Sequence, residues 1–170
     1  MQKKLMIFML FFFAGCAGIP ENISPVTDFD VDRYLGTWYE IARLDHSFER
    51  GLEKVTADYS YRDDKGIKVV NRGFDPERNE WKEATGKAYL INGPDIGRLK
   101  VSFFGPFYGA YNIIDLDKEN YSYSMVCGPT KKYLWILART PFLEESIKDR
   151  LIKKAGSLGF DTEGLIHVNH

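Results

Sequence analysis

The 170-residue chain has little of what builds a reactive or cross-linked site: two cysteines and three histidines. Two cysteines cannot supply a disulfide scaffold or a four-cysteine zinc site. His46, His167 and His170 show no H-E-x-x-H spacing, and no G-x-S-x-G elbow, P-loop or dinucleotide fingerprint occurs. The sequence therefore implies no metal, no cofactor and no enzyme. Charge of one sign is also missing. With 23 basic and 24 acidic residues the net charge is −1, which excludes the basic face of a nucleic-acid binder. Long apolar runs are absent too: residues 5–13 make a nine-residue stretch, too short to cross a bilayer core of about 30 Å as a helix. What the chain has in excess is rings, with 12 Phe, 10 Tyr and 3 Trp. A ring-rich chain of one-domain length leans towards an all-β fold or an aromatic-lined pocket.

The first sixteen residues read as a processing signal. Lys3 and Lys4 precede the apolar run, and Ala14-Gly15-Cys16 follows it. Small residues ending in cysteine resemble a bacterial lipobox, with Phe13 where Leu is usual. That resemblance implies cleavage after residue 15 and acylation of Cys16, with Ala17 directing the product to the outer membrane, facing the periplasm. Residues 1–15 carry Lys3 and Lys4 and no acid, so their removal shifts the formal charge from −1 to −3. Residues 16–26, with Pro20 and Pro25, then read as a lipidated tether, and residues 27–170 as one domain.

Short β-like runs at 36–44, 54–62, 67–75, 81–91, 98–105, 110–115, 121–127 and 133–139 are separated by turn signals such as Asp63-Asp64-Lys65-Gly66 and Asn92-Gly93-Pro94. Eight antiparallel strands joined by short links suit an up-and-down meander that closes into a barrel, since closure removes both bare edges. Residues 140–158 change period: Leu143, Ile147, Leu151, Ile152, Ala155 and Leu158 recur at helical spacing. Thr140-Pro141 reads as the helix start and Gly156 or Gly159 as its end. One apolar stripe predicts a helix packed on the outside of the barrel. Residues 164–170 have room for a last short strand.

These residues carry a resemblance to the lipocalin family. Gly36-Thr37-Trp38-Tyr39-Glu40-Ile41-Ala42-Arg43 is similar to its first signature, G-x-W-[FY]-E-I-A-R. Tyr111 through Asp117 to Tyr121 resembles the second, and Leu134-Trp135-Ile136-Leu137-Ala138-Arg139 the third. With the lipobox, the resemblance extends to the bacterial outer-membrane lipoprotein branch. It implies that Trp38 plugs one end of the barrel while Arg139 stacks on its indole, both structural residues.

Alternation from those two residues selects the inward face. Glu40 and Ala42 share the side of Trp38; Leu137, Trp135 and Tyr133 share that of Arg139. By the same pattern Val55, Ala57 and Tyr59, then Val69 and Asn71, point inward. So do Ala84, Gly86 and Ala88; Leu99, Val101 and Phe103; Tyr111 and Ile113; and Tyr123 and Met125. The expected ligand-binding residues are Tyr59, Asn71, Val101, Phe103, Tyr111, Ile113 and Trp135, a mostly apolar lining for an elongated ligand with a polar end. The resemblance implies fatty acids or lysophospholipids. Residues 45–52 should lie at the mouth, with Phe48 and Leu52 available to ligand or membrane and Arg50 to a phosphate. Two further readings stay open: a lipid-processing enzyme with Cys127 as nucleophile, and an envelope scaffold filled by its own rings. The sequence also leaves a homodimer open.

Overall fold

The computed structural model describes residues 18–170; the expected signal and Cys16 lie outside the described residues. A short helix α1 (Val31–Tyr34) leads into β1 (Gly36–Leu44), β2 (Glu53–Tyr61), β3 (Ile67–Asp75) and β4 (Glu80–Leu90). The meander continues through β5 (Arg98–Phe104), β6 (Phe107–Leu116), β7 (Tyr123–Cys127) and β8 (Leu134–Ala138). Helix α2 (Glu145–Ser157), a 3₁₀ turn (Thr162–Gly164) and β9 (Leu165–His167) complete the chain. All eight expected strands form, each within a few residues of its predicted limits. Neighbours in sequence pair antiparallel, and β1 closes the barrel by pairing with both β2 and β8.

Two apolar cores lie on the two sides of the wall. Inside, Trp38, Tyr59, Val69, Leu99, Ile113 and Leu137 are buried together. Outside, the wall meets α2, with Ile114, Met125, Leu134 and Ile136 packed beside Leu151 and Ala155. The helical stripe read from the sequence is the stripe that docks: Leu143, Ile147, Ile152 and Leu158 pack against the same cluster. Polar contacts fix its position, since Asp115 accepts from Lys154 Nζ at 2.7 Å and Arg150 Nη1 at 3.3 Å.

This double burial corrects three inward assignments. Ala42, Tyr123 and Met125 belong to the outer core under α2. A bulge between Glu40 and Ala42 resets the parity of β1, putting Ala42 outside and Arg43 inside. On β7 the more apolar face is the one covered by α2, and the lumen receives Ser124 and Val126. Hydrophobicity picks the lumen side only where the opposite side meets water.

Helix α2 also starts later than Thr140-Pro141 suggested. Thr140 Oγ1 donates to the Phe142 carbonyl at 2.5 Å, and Glu144, with φ −53° and ψ 133°, is the residue before the first turn. The expected end is right. Gly159 adopts φ +85°, its N–H reaches the Gly156 carbonyl at 3.0 Å, and Phe160 N–H reaches that of Ala155 at 3.1 Å. This crossed pair is a Schellman cap, for which a left-handed residue is required.

Both ends of the described residues are built into the barrel. Ile19 and Ile23 of the expected tether pack against the outer core. Val26 N–H then bonds the Ile113 carbonyl while its own carbonyl accepts from Gly97 N–H. At the other end, β9 pairs with residues 42–44 where β1 parts from β2, and Asn169 accepts from Lys54 N–H at 2.7 Å. The C-terminus thereby seals a seam that β1 and β2 leave open.

Candidate functional site: the barrel lumen

The floor is sealed by Trp38, which is 0% exposed. Its indole Nε1 donates to the Tyr34 carbonyl at 2.8 Å. The Arg139 guanidinium lies 4.0 Å from the Trp38 ring centroid and donates to the carbonyls of Thr37, Arg33 and Tyr121 at 3.0, 2.7 and 3.2 Å. Gly36 sits directly beneath with φ +94°, and a Cβ there would come 3.3 Å from Arg139 Nη1. Planar, five-donor arginine suits this seat, and the expected stack of Arg139 on the Trp38 indole is present.

Above the plug, three phenols form a chain. Tyr34 and Tyr59 each meet the Tyr111 hydroxyl, at 2.8 and 2.9 Å, and Tyr34 also meets Ser124 Oγ at 3.2 Å. Burial pushes the Tyr34 phenol up to about 12 and raises Tyr59 and Tyr111 as well. These groups are therefore neutral hydrogen-bonding hydroxyls at neutral pH.

Higher up, side chains that point into the barrel regain contact with water. Ala57, Asn71, Val101, Phe103, Tyr111 and Trp135 are half-buried, and Ala84 is exposed, although the strand pattern directs all of them inward. These partly accessible inward side chains mark the part of the barrel above Trp38 as the candidate lumen. Of the expected ligand residues, Asn71, Val101, Phe103, Tyr111 and Trp135 belong to this part, whereas Tyr59 and Ile113 are buried in its base. Gly86 makes room for the Phe103 ring, which would stand 2.9 Å from a Cβ there. Asn71 Oδ1 has no hydrogen-bond partner among the described residues.

A polar cluster that alternation could not reveal sits in the wall beside Trp135. Arg43, 1% exposed, donates to Glu40 Oε1 at 2.7 Å and to the carbonyls of Glu49 and Leu52 at 2.8 and 3.2 Å. Trp135 Nε1 donates to Glu49 Oε2 at 3.1 Å. His46 stacks on Phe48, with centroids 4.0 Å apart, and its Nε2 lies 3.2 Å from Glu49 Oε2 without hydrogen-bond alignment. Burial, and then the neighbouring Glu49, raise the Glu40 carboxyl well above its usual range; burial also raises Glu49. Burial and the Arg43 charge lower His46 to about 4, leaving it a neutral ring. Two carboxyls facing one guanidinium favour holding a proton between them. The only sequence signal for this cluster was Glu40 and Arg43 in the first signature, at a spacing that a regular strand sends to opposite faces.

Cys127 lies elsewhere. It packs in the outer core with Met125 and Leu134, and burial pushes its thiol up to about 12. It is a protonated thiol on the helix side of the wall, with no access to the lumen.

Residues 29–170 match the model of a lipocalin-like domain. The chain is 55% identical over 168 residues to the outer membrane lipoprotein Blc of Vibrio cholerae, covering 99% of this chain and 98% of that protein. It is 54% identical over 149 residues to the outer membrane lipoprotein Blc of Escherichia coli K12, covering 88% and 84%. Mouse apolipoprotein D shares 32% identity across 93% of each chain. The fold of insecticyanin from the tobacco hornworm superposes with a TM-score of 0.72 at 23% identity, over 90% of this chain and 87% of that one. A barrel plugged by Trp38 and Arg139, three ordered signatures and these relatives together place the chain in the lipocalin family.

Proposed function

We propose that this chain is a lipid-anchored lipocalin of the outer membrane, facing the periplasm, whose lumen binds fatty acids or lysophospholipids. One observation carries the reading: half-buried, inward-facing rings and aliphatics stand above a sealed floor. An acyl chain entering that space is stripped of water by Val101, Phe103 and Trp135 and ends near the neutral hydroxyls of Tyr111 and Tyr59. Each buried methylene contributes about 0.8 kcal/mol, so a chain of about twelve supplies roughly 10 kcal/mol before ordering costs. Polar head-group atoms remain at the mouth, above the phenols.

Cys127 is buried in the outer core as a protonated thiol, which favours carriage or storage over lipid processing through that residue. Anchoring through Cys16 accords with the outer-membrane lipoprotein relatives and with the lipobox. Titration of delipidated protein with C14–C18 fatty acid or lysophospholipid, followed by tryptophan emission, should saturate with 1:1 stoichiometry. Phe103→Asp should abolish that saturation, and no saturable binding by the parent protein would overturn the reading. Replacing Cys16 by serine should release the protein from the membrane fraction.

A further inference from the structure

We propose that the rim of the barrel is itself a docking surface for the lipid bilayer, so that the protein stands mouth-down on the membrane that anchors it. The open end is bounded by four connections: residues 45–52, 76–79, 105–106 and 128–133. Three of the four carry or are flanked by exposed rings outside both cores, while Tyr61 and Phe142 are the exposed rings at the floor end. Phe48 and Trp81 are each 62% exposed, Phe107 is 69% exposed and Phe104 81%. Four rings this bare around one opening are expensive in water and well matched to the boundary between head groups and acyl chains. The fourth connection carries exposed Lys131 and Lys132, suited to lipid phosphates. Of the other cations near the rim, Arg50 pairs with Asp45, Lys82 and Arg78 with Asp75, and Lys54 lies 5.6 Å from the Phe74 ring centroid.

The path of the N-terminal segment selects a bilayer as the occupant. Traced backwards from Val26, bonded to Gly97 at the floor end, this segment climbs the outer wall to Gly18. Asn112 Nδ2 holds the Gly18 carbonyl at 3.1 Å and the Gly128 carbonyl at 3.2 Å, and Gly128 opens the mouthward connection between β7 and β8. Gly18, the first described residue, therefore lies beside that connection, and the expected anchor at Cys16 is two residues before it in sequence, a reach of at most about 7 Å. Anchor and rings address the same surface. A second copy seated rim to rim would bury the rings but close both lumens and turn the two anchors towards each other.

The inference goes beyond ligand binding and needs only the Cys16 anchor from the reading above. Its test uses the acylated protein in phosphatidylethanolamine–phosphatidylglycerol vesicles whose acyl chains carry bromine, a short-range quencher of tryptophan. Trp81 is the rim tryptophan, while Trp38 is sealed in the floor and Trp135 faces the lumen. Wild-type emission should be quenched relative to unbrominated vesicles, and Trp81→Phe should remove that part of the quench. Hydrogen exchange of residues 46–50, 78–81 and 104–107 should slow on reconstitution, and Phe48→Ser with Phe104→Ser and Phe107→Ser should restore the rate. Brominated lipid entering the lumen would quench Trp135 instead and survive Trp81→Phe, so ligand uptake and rim docking fail separately. Equal quenching of wild type and Trp81→Phe overturns the proposal. So does protection of the floor-end turn at 62–66 in place of the rim, or a vesicle-free dimer that protects the same rings.

Discussion

Arg43 and Glu40 meet at 2.7 Å inside the barrel wall because one irregular step in β1 turns both to the same face. The guanidinium is the fixed positive charge opposite two buried carboxyls, Glu40 and Glu49. Removing it leaves those groups without a counter-charge, a loss of about 3–5 kcal/mol for buried pairs. Arg43→Met should therefore lower the urea midpoint strongly at pH 7.5. The deficit should shrink at pH 5, where both carboxyls can hold protons. An equal deficit at the two pH values would mean that Arg43 acts through packing and its carbonyl bonds alone.

His46 and the carboxyl pair pull the pH dependence in opposite directions. His46 is lowered to about 4 from its ordinary 6.5, so between those values the unfolded chain binds the proton that the folded chain refuses. Stability is lost as pH falls from 6.5 towards 4, by about 2 kcal/mol between pH 7.5 and 5. Glu40 and Glu49 are raised, so the folded chain keeps protons that the unfolded chain releases above about 4.5. Their contribution declines as pH rises through that range. Comparing His46→Gln with the parent isolates the first effect: the variant should gain stability relative to the parent at pH 5 and not at pH 7.5. Urea melts followed by circular dichroism would measure it.

Why was the plug legible in the sequence when this cluster was not? Trp38 and Arg139 are defined by residue type and order, and alternation carries them to the same end of the barrel. Strand limits were legible for a similar reason, since turn residues such as Asn92-Gly93 interrupt each run. Arg43 depends on a bulge, a register event that leaves no mark in residue type. Tyr123 and Met125 were misplaced because α2 buries the outer face of β7, so both faces of that strand are apolar. Asn71, Val101 and Phe103 were readable because β3 and β5 carry polar residues on the outer face, whereas Trp135, on a strand whose outer face α2 buries, was placed by alternation from Arg139.

Arg139→Lys should be far from conservative. The guanidinium stacks on Trp38 while serving three carbonyls that lie on different segments. An ammonium concentrates its donors at one point and cannot keep the stack and all three bonds. One or two carbonyls left without donors, together with the weakened cation–π contact, should cost about 2 kcal/mol. For a domain of this size that is a fall in Tm of roughly 4–8 °C. Differential scanning calorimetry would show it, and a shift of under a degree would remove Arg139 from the closure.

Gly86 is where stability and capacity can be separated. A Cβ at this position would stand 2.8 Å from the Ser102 carbonyl and 2.9 Å from two atoms of the Phe103 ring. The carbonyl belongs to the adjacent β5 backbone and cannot yield cheaply, so Gly86→Ala should destabilise the barrel by about 1–3 kcal/mol. The ring can yield, and its free direction is the lumen. Gly86→Ala should therefore narrow the lumen and weaken lysophospholipid binding by about tenfold, or about 1.4 kcal/mol. Adding Phe103→Ala removes the displaced ring and should restore binding. It should leave the backbone part of the stability loss in place. A double-mutant cycle measured both by ligand titration and by urea melts would show coupling in affinity that exceeds the coupling in stability. Equal coupling in the two measurements would mean that Phe103 only packs the wall and that ligand lies elsewhere in the barrel.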